Sequence, residues 1–172
     1  LGGRSILGDA RSPEMQKKLN LKIKFRESFR PFAPAILLED LNEWFDLDSE
    51  SPYMLLVGKV KEDKLVEQTH DQKLAKGLEK LKIVRSKIPA VTHVDNSARI
   101  QTVTIENGIY YDLIKSFKKK TGCPVIVNTS FNVRGEPPVN TPIDAYKCFM
   151  ATDLDVLVLG NCIMEKQNQI NF

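Results

Sequence analysis

Pro124, Val125, Ile126 and Val127 form an apolar run without a polar break, and Asn128 follows it directly. A run this short and this apolar reads as a strand buried on both faces. Residues 128–136 (NTSFNVRGE) then release Asn128, Ser130, Asn132 and Arg134 from the end of that strand. Polar and cationic side chains leaving one buried strand together are how an α/β protein builds a polyanion site at the carboxyl edge of its sheet.

A second cationic cluster is placed to meet the first. Lys17, Lys18, Lys22, Lys24, Arg26 and Arg30 stand within residues 17–30 against one acid, Glu27. The excess suits an anionic ligand or a solvated basic face. The chain's net charge of +3 is too small to demand a nucleic acid.

The flanking sequence predicts strands mixed with helices. Ser12, Pro13 and Glu14 resemble a helix start, with the helix ending near Asn20. Leu21, Ile23 and Phe25 alternate with Lys22, Lys24 and Arg26, which predicts a strand with one apolar and one cationic face. On it Lys24 and Arg26 point the same way, ~7 Å apart. Strands are also expected at 35–38, 53–57, 88–93, 99–105 and 155–160. Helices are expected at 40–45, 107–121 and from Thr141 on, with Gly122 stopping the second. Residues 59–87 are highly charged, and Leu74, Leu78 and Leu81 at helical spacing suggest a partly exposed helical insertion. The fold class is α/β, an open twisted mixed sheet with flanking helices, in one domain over residues 1–172.

Lys24 with Arg26, and Ser130 with Asn132, each stand two residues apart. In extended chain each pair faces one side and buries a Phe on the other. Lysine brings a point charge, arginine a planar fork, and Ser and Asn neutral hydrogen bonds. The set describes a phosphate or nucleotide cradle, or ordinary strand-edge polarity. Arg30, held extended by Pro31, is a structural stacker or an oxyanion clamp. Arg99 either enters the same pocket or pairs with Asp95. Arg134 either grips an anion or neutralises Glu136.

His70 and His93 are too few and too far apart for a metal site, so no protein-held metal is expected, whereas Mg²⁺ carried by a nucleotide is compatible with the sequence. No Walker or dinucleotide glycine motif is present, and Ser130 has no His-Asp relay. No apolar run reaches the ~20 residues of a membrane span. Cys123, Cys148 and Cys162 are odd in number, lie in or beside apolar segments, and are expected to be reduced, buried and inert. That favours the cytoplasm.

Residues 1–7 (LGGRSIL), 24–34 (KFRESFRPFAP), 92–103 (THVDNSARIQTV) and 124–137 (PVIVNTSFNVRGEP) together resemble the C-terminal domain of the O-carbamoyltransferases, a family of nodulation-factor and antibiotic carbamoylating enzymes. The resemblance covers nearly the whole chain outside a variable region of about residues 40–87. It implies a YrdC-like fold with a positively charged concave face. It implies that ATP and carbamoyl phosphate give carbamoyl-adenylate and pyrophosphate, and that the carbamoyl group passes to an acceptor hydroxyl. In the family that second step belongs to an N-terminal actin-like ATPase domain with an iron site. The chain therefore reads as a piece excised from a longer one, with that domain as its expected partner. Lys24, Arg26, Ser130 and Asn132 fit the family's K-x-R and S-x-N signature and would be catalytic. Lys24 and Arg30 would hold carbamoyl phosphate; Arg99, Asn128 and Ser130 would line the nucleotide site. Arg4, His93, Asp95 and Arg134 are further candidates around it. The alternative is an RNA- or nucleotide-binding module without catalysis of its own; nucleic acid is disfavoured because it calls for a broader basic surface with stacking aromatics.

Overall fold

The computed structural model describes residues 2–169, with the side chains of residues 73, 78 and 82 outside the description. In chain order the elements are β1 (Ser5–Asp9), α1 (Met15–Lys18), β2 (Ala33–Leu37), α2 (Leu41–Trp44), β3 (Phe45–Asp46), β4 (Leu56–Val60) and α3 (His70–Leu74). They continue with β5 (Ser97–Val103), α4 (Ile109–Thr121), β6 (Val125–Ser130), α5 (Pro142–Met150), β7 (Val156–Leu159) and β8 (Cys162–Glu165). Six strands form one mixed sheet in the order β1-β6-β2-β5-β4-β3, and β7 and β8 form a separate hairpin. Among the described residues only β2 and β5 pair in parallel; every other strand pair is antiparallel.

Side-chain alternation along the inner strands divides the core in two. Ala35, Leu37, Val103 and Ile126 face α4 and pack against Tyr110, Tyr111 and Ile114. Ile36, Ile100, Val125 and Val127 face the other way, onto Phe45, Trp44 and Phe149. Each fully buried aliphatic residue contributes roughly 1.5–3 kcal/mol, so both layers hold the sheet. Gly122 ends α4 in the left-handed conformation, φ 75°, as the sequence predicts. Thr141 caps α5, with Asp144 completing a reciprocal capping box.

The strand predicted over residues 21–26 does not form: Leu21–Ile23 is helical and Lys24–Arg26 is an irregular bend. A π-helical turn, Leu19–Ile23, continues α1. Its buried apolar residues are Leu19 and Ile23, four apart, while Leu21 and Phe25 are exposed. The segment carries both periods, and burial of Leu19 with Ile23 against the core selects the helical one. The helix thus runs past Asn20. Phe25 then takes a positive φ of 48°. Its side chain is not the buried partner that an extended reading requires, whereas Phe131 is buried as expected.

Other differences are smaller. The strand expected at 53–57 lies at 56–60, because a turn at Ser51–Met54 uses the first residues. Ile88, Ala90 and Val91 are buried, but the segment forms a 3₁₀ turn, Pro89–Val91, rather than a strand. A short apolar run does not distinguish the two, and Pro89 favours the turn. The insertion holds short helices, namely α3 and 3₁₀ stretches at Glu62–Lys64 and Gly77–Lys82; Leu74 is exposed, and the side chain of Leu78 lies outside the described residues. Cys123 and Cys148 are buried, but Cys162 is exposed beside the hairpin turn, opposite Leu159. Among the described residues no helix is long and apolar enough to cross a membrane.

Candidate functional site

The topology brings four strand ends to one edge. β6 runs antiparallel to β1 and to β2, with Ser130 opposite Ser5 and Asn128 opposite Ala33. β5 is parallel to β2, so its first residues reach the same edge. The site therefore uses the carboxyl end of β6 and the amino ends of β1, β2 and β5. The purely carboxyl edge expected from the sequence belongs to parallel sheets, and this sheet is mostly antiparallel.

Two clefts open there. The larger, about 660 Å³, is lined by Arg4, Arg26, Met54, Arg99, Asn128 and Ser130 among others. The smaller, about 320 Å³, gathers Lys24, Arg26, Arg30, Asn132 and Arg134. Arg26, Thr129 and Ser130 line both, so they form the partition.

Lys24 is 5% exposed and sits at the base of the smaller cleft. Its Nζ donates to Asn132 Oδ1 at 2.7 Å, to the Asn132 carbonyl at 3.0 Å and to the Ser130 carbonyl. All these acceptors are neutral, and among the described residues Lys24 forms no ion pair. Burial, with Arg26 adding repulsion, lowers its pKa to about 8. Asn132 is a hub: Oδ1 also accepts from Ser130 Oγ at 2.7 Å, and Nδ2 donates to the Glu136 carbonyl at 2.8 Å. Its side chain is committed to holding Lys24 and the loop, so it orients the ammonium.

Arg26 is fixed from behind. Its Nε donates to Asn20 Oδ1 at 2.6 Å, and its guanidinium lies 4.8 Å from the Phe32 ring centroid. Burial, then the nearby Arg30, lowers its pKa. Asn20 is fully buried, and its amide donates to the carbonyls of Ser28 and Arg30. Gln16 Nε2 reaches the carbonyls of Phe29 and Arg30 as well. Asn20 and Gln16 thus shape the cationic loop, and sequence reasoning missed both. The available signal was Asn20 itself, a polar residue between Leu19 and Leu21 in a π-helical turn.

In the larger cleft, Arg99 Nη1 donates to the Met54 carbonyl at 3.1 Å, not to Asp95. Met54 holds a positive φ of 59°, which sets that carbonyl on the arginine. Asn128 is nearly buried, and its Nδ2 donates to Gln101 Oε1 at 2.6 Å. Arg4 Nη1 donates to the Val139 carbonyl at 3.0 Å.

Of the expected residues, Arg4, Lys24, Arg26, Arg30, Arg99, Asn128, Ser130, Asn132 and Arg134 converge on these clefts. His93 and Asp95 line neither; they shape the turn before β5. Asp95 Oδ1 accepts from Ser97 Oγ at 2.6 Å, and that bond is the main cause of its pKa near 2. Burial lowers the pKa of His93. Among the described residues no group of three or more His, Cys, Asp or Glu could hold a metal ion.

Residues 1–166 match the family model described as carbamoyltransferase C-terminus. An uncharacterized protein of Synechocystis is 58% identical over 170 residues, 98% of this chain and 28% of that protein. Nodulation protein NolO of Bradyrhizobium diazoefficiens is 42% identical over 171 residues, 97% of this chain and 28% of that protein. The 3'-hydroxymethylcephem-O-carbamoyltransferase of Streptomyces clavuligerus is 34% identical over 162 residues, 94% of this chain and 27% of that protein. The chain spans little more than a quarter of the length of these relatives.

Proposed function

The chain belongs to the carbamoyltransferase C-terminus family, and from that premise we propose that its paired clefts bind carbamoyl phosphate and ATP and form carbamoyl-adenylate. The observation that carries this reading is the partition: two polar clefts of unequal size share Arg26 and Ser130. The smaller suits a compact phosphorylated anion, and the larger a nucleotide.

The reaction balances with one water. Hydrolysis of the carbamoyl–phosphate bond gives carbamate and phosphate. A carbamate oxygen then attacks the α-phosphorus of ATP, and pyrophosphate leaves with the electron pair of the broken α–β bond. Two polyanions must meet, so repulsion is the first barrier. Lys24 and Arg30 hold the phosphate of carbamoyl phosphate. Arg26, at the partition, faces both reactants and neutralises charge where they join. Arg4, Arg99, Asn128 and Ser130 position the nucleotide. Catalysis here is positioning and charge neutralisation, without a covalent enzyme intermediate. Mg²⁺ would arrive on the triphosphate oxygens and help to neutralise them.

Transfer of the carbamoyl group to an acceptor hydroxyl falls to the remainder of a longer polypeptide, as does any iron site. The test is pyrophosphate release from ATP in such a polypeptide. Release should require carbamoyl phosphate and should fall about 100-fold or more in Lys24→Ala and in Arg30→Ala. Unchanged rates in both variants would remove the site assignment. Tight RNA binding without nucleotide binding would favour a nucleic-acid module instead.

A further inference from the structure

The smaller cleft holds one residue of charge opposite to its cations. Glu27 lines it beside Lys24, Arg26, Arg30 and Arg134, and among the described residues it is the cleft's one carboxylate. It is exposed at the rim and forms no ion pair among the described residues. A bond from its own backbone, followed by the fields of Arg30, Arg134 and Arg26, lowers its pKa, so it is charged at neutral pH. A free carboxylate in a phosphate cleft repels phosphate.

The cleft's other strong acceptors are already engaged. Asn132 Oδ1 takes both Lys24 and Ser130, and the carbonyls of Ser130 and Asn132 take Lys24. Glu27 is the one charged acceptor among the described residues of the cleft lining, and its own backbone N–H occupies part of it. A ligand fitted to this arrangement has an anionic end for the cations and an N–H donor for the carboxylate.

We propose that Glu27 accepts a hydrogen bond from the carbamoyl NH₂ and so selects carbamoyl phosphate over acyl phosphates that carry a carbon group in its place. This rests on the reading of the smaller cleft as the carbamoyl phosphate site. Discrimination by a charged hydrogen bond is worth about 10- to 100-fold. The same carboxylate weakens anions that lack the donor.

Acetyl phosphate is the matched probe, with a methyl group where carbamoyl phosphate has its NH₂. Calorimetry on the chain should show carbamoyl phosphate bound at least about 10-fold more tightly than acetyl phosphate. In Glu27→Ala that ratio should approach one, with acetyl phosphate and inorganic phosphate binding more tightly than before. Glu27→Gln, which keeps an acceptor, should retain part of the preference. A purely structural role would weaken all three anions alike and leave the ratio unchanged, which overturns the inference but not the cleft assignment. Equal affinities in the unaltered chain do the same. Failure of the unaltered chain to bind any of the three anions overturns the cleft assignment and the inference with it.

Discussion

The Lys24 ammonium donates to the Asn132 side-chain oxygen at 2.7 Å across 108 residues of chain. The two signature stretches therefore meet as donor and acceptor, one holding the other. This changes the division of labour read from sequence. Lys24 brings the charge, and Asn132 aims it without neutralising it. A buried cation supported only by neutral oxygens is poised for an anion.

The first prediction is a pH dependence. The pKa of Lys24 is lowered from 10.5 to about 8. Its charge is complete below that value and lost above it, and a bound anion raises the pKa. Affinity for sulfate, whose charge is constant, should therefore decline as pH rises from about 7 to about 9.5. Guanidinium groups in general stay protonated across that range. Cys148, also near Lys24, has its thiol pKa raised by burial and so titrates late. Lys24→Arg should flatten the profile; an unchanged slope would detach it from Lys24. Stability has its own sign: the unfolded chain keeps this proton to higher pH, so the cost of the buried charge disappears as pH rises between about 8 and 10.5.

Asn132→Asp puts a negative charge against that ammonium. The Lys24 pKa should rise, and the decline in sulfate affinity should move to higher pH. Affinity at neutral pH should drop about 10-fold or more, because the cation is already paired. Titration calorimetry at several pH values reads both effects. Unaltered affinity would mean that Asn132 does not govern the cleft's charge.

Asn20→Leu should cost about 1–3 kcal/mol in urea unfolding, since the Ser28 and Arg30 carbonyls and the Arg26 Nε lose their buried partner. Sulfate affinity should fall with it. A variant of wild-type stability and affinity would show that Gln16 alone suffices to hold the loop.

Gly2 lines the larger cleft and takes a φ of +95°. A Cβ there would lie 2.6 Å from the Tyr110 ring. Gly2→Ala should lose about 1–3 kcal/mol of stability and weaken ATP binding. Gly3→Ala meets nothing within 4 Å and is the matched control for stability. Equal melting temperatures for the two variants would refute the role of that close approach.

The legibility of the sequence followed the number of structures each segment could satisfy. β6 was readable because an unbroken apolar run with a polar exit fits little else. α4 was readable because Tyr110, Ile114 and the Gly122 stop agree with one period. Residues 19–26 were not, since Leu19 with Ile23 fits a helix and Leu21, Ile23 and Phe25 fit a strand. Tertiary burial chose between them. Most of the polar residues lining the two clefts stand in the stretches singled out from the sequence. The supports were not legible: Asn20 and Gln101 act through contacts six or more residues away, which no local pattern encodes.

The pairing of β1 with β6 also fixes when the site can come into being. Among the described residues β1 has β6 as its one partner in the sheet, so Ser5 waits for Ser130. At the pace of a ribosome the delay is on the order of ten seconds. During it β1 and the apolar β2 lack β6 and offer open hydrogen-bonding edges. A nascent chain stalled before Val125 would carry most of the cations and no second wall to receive them. The domain thus carries open strand edges through most of its synthesis, and its two clefts assemble late, with one strand.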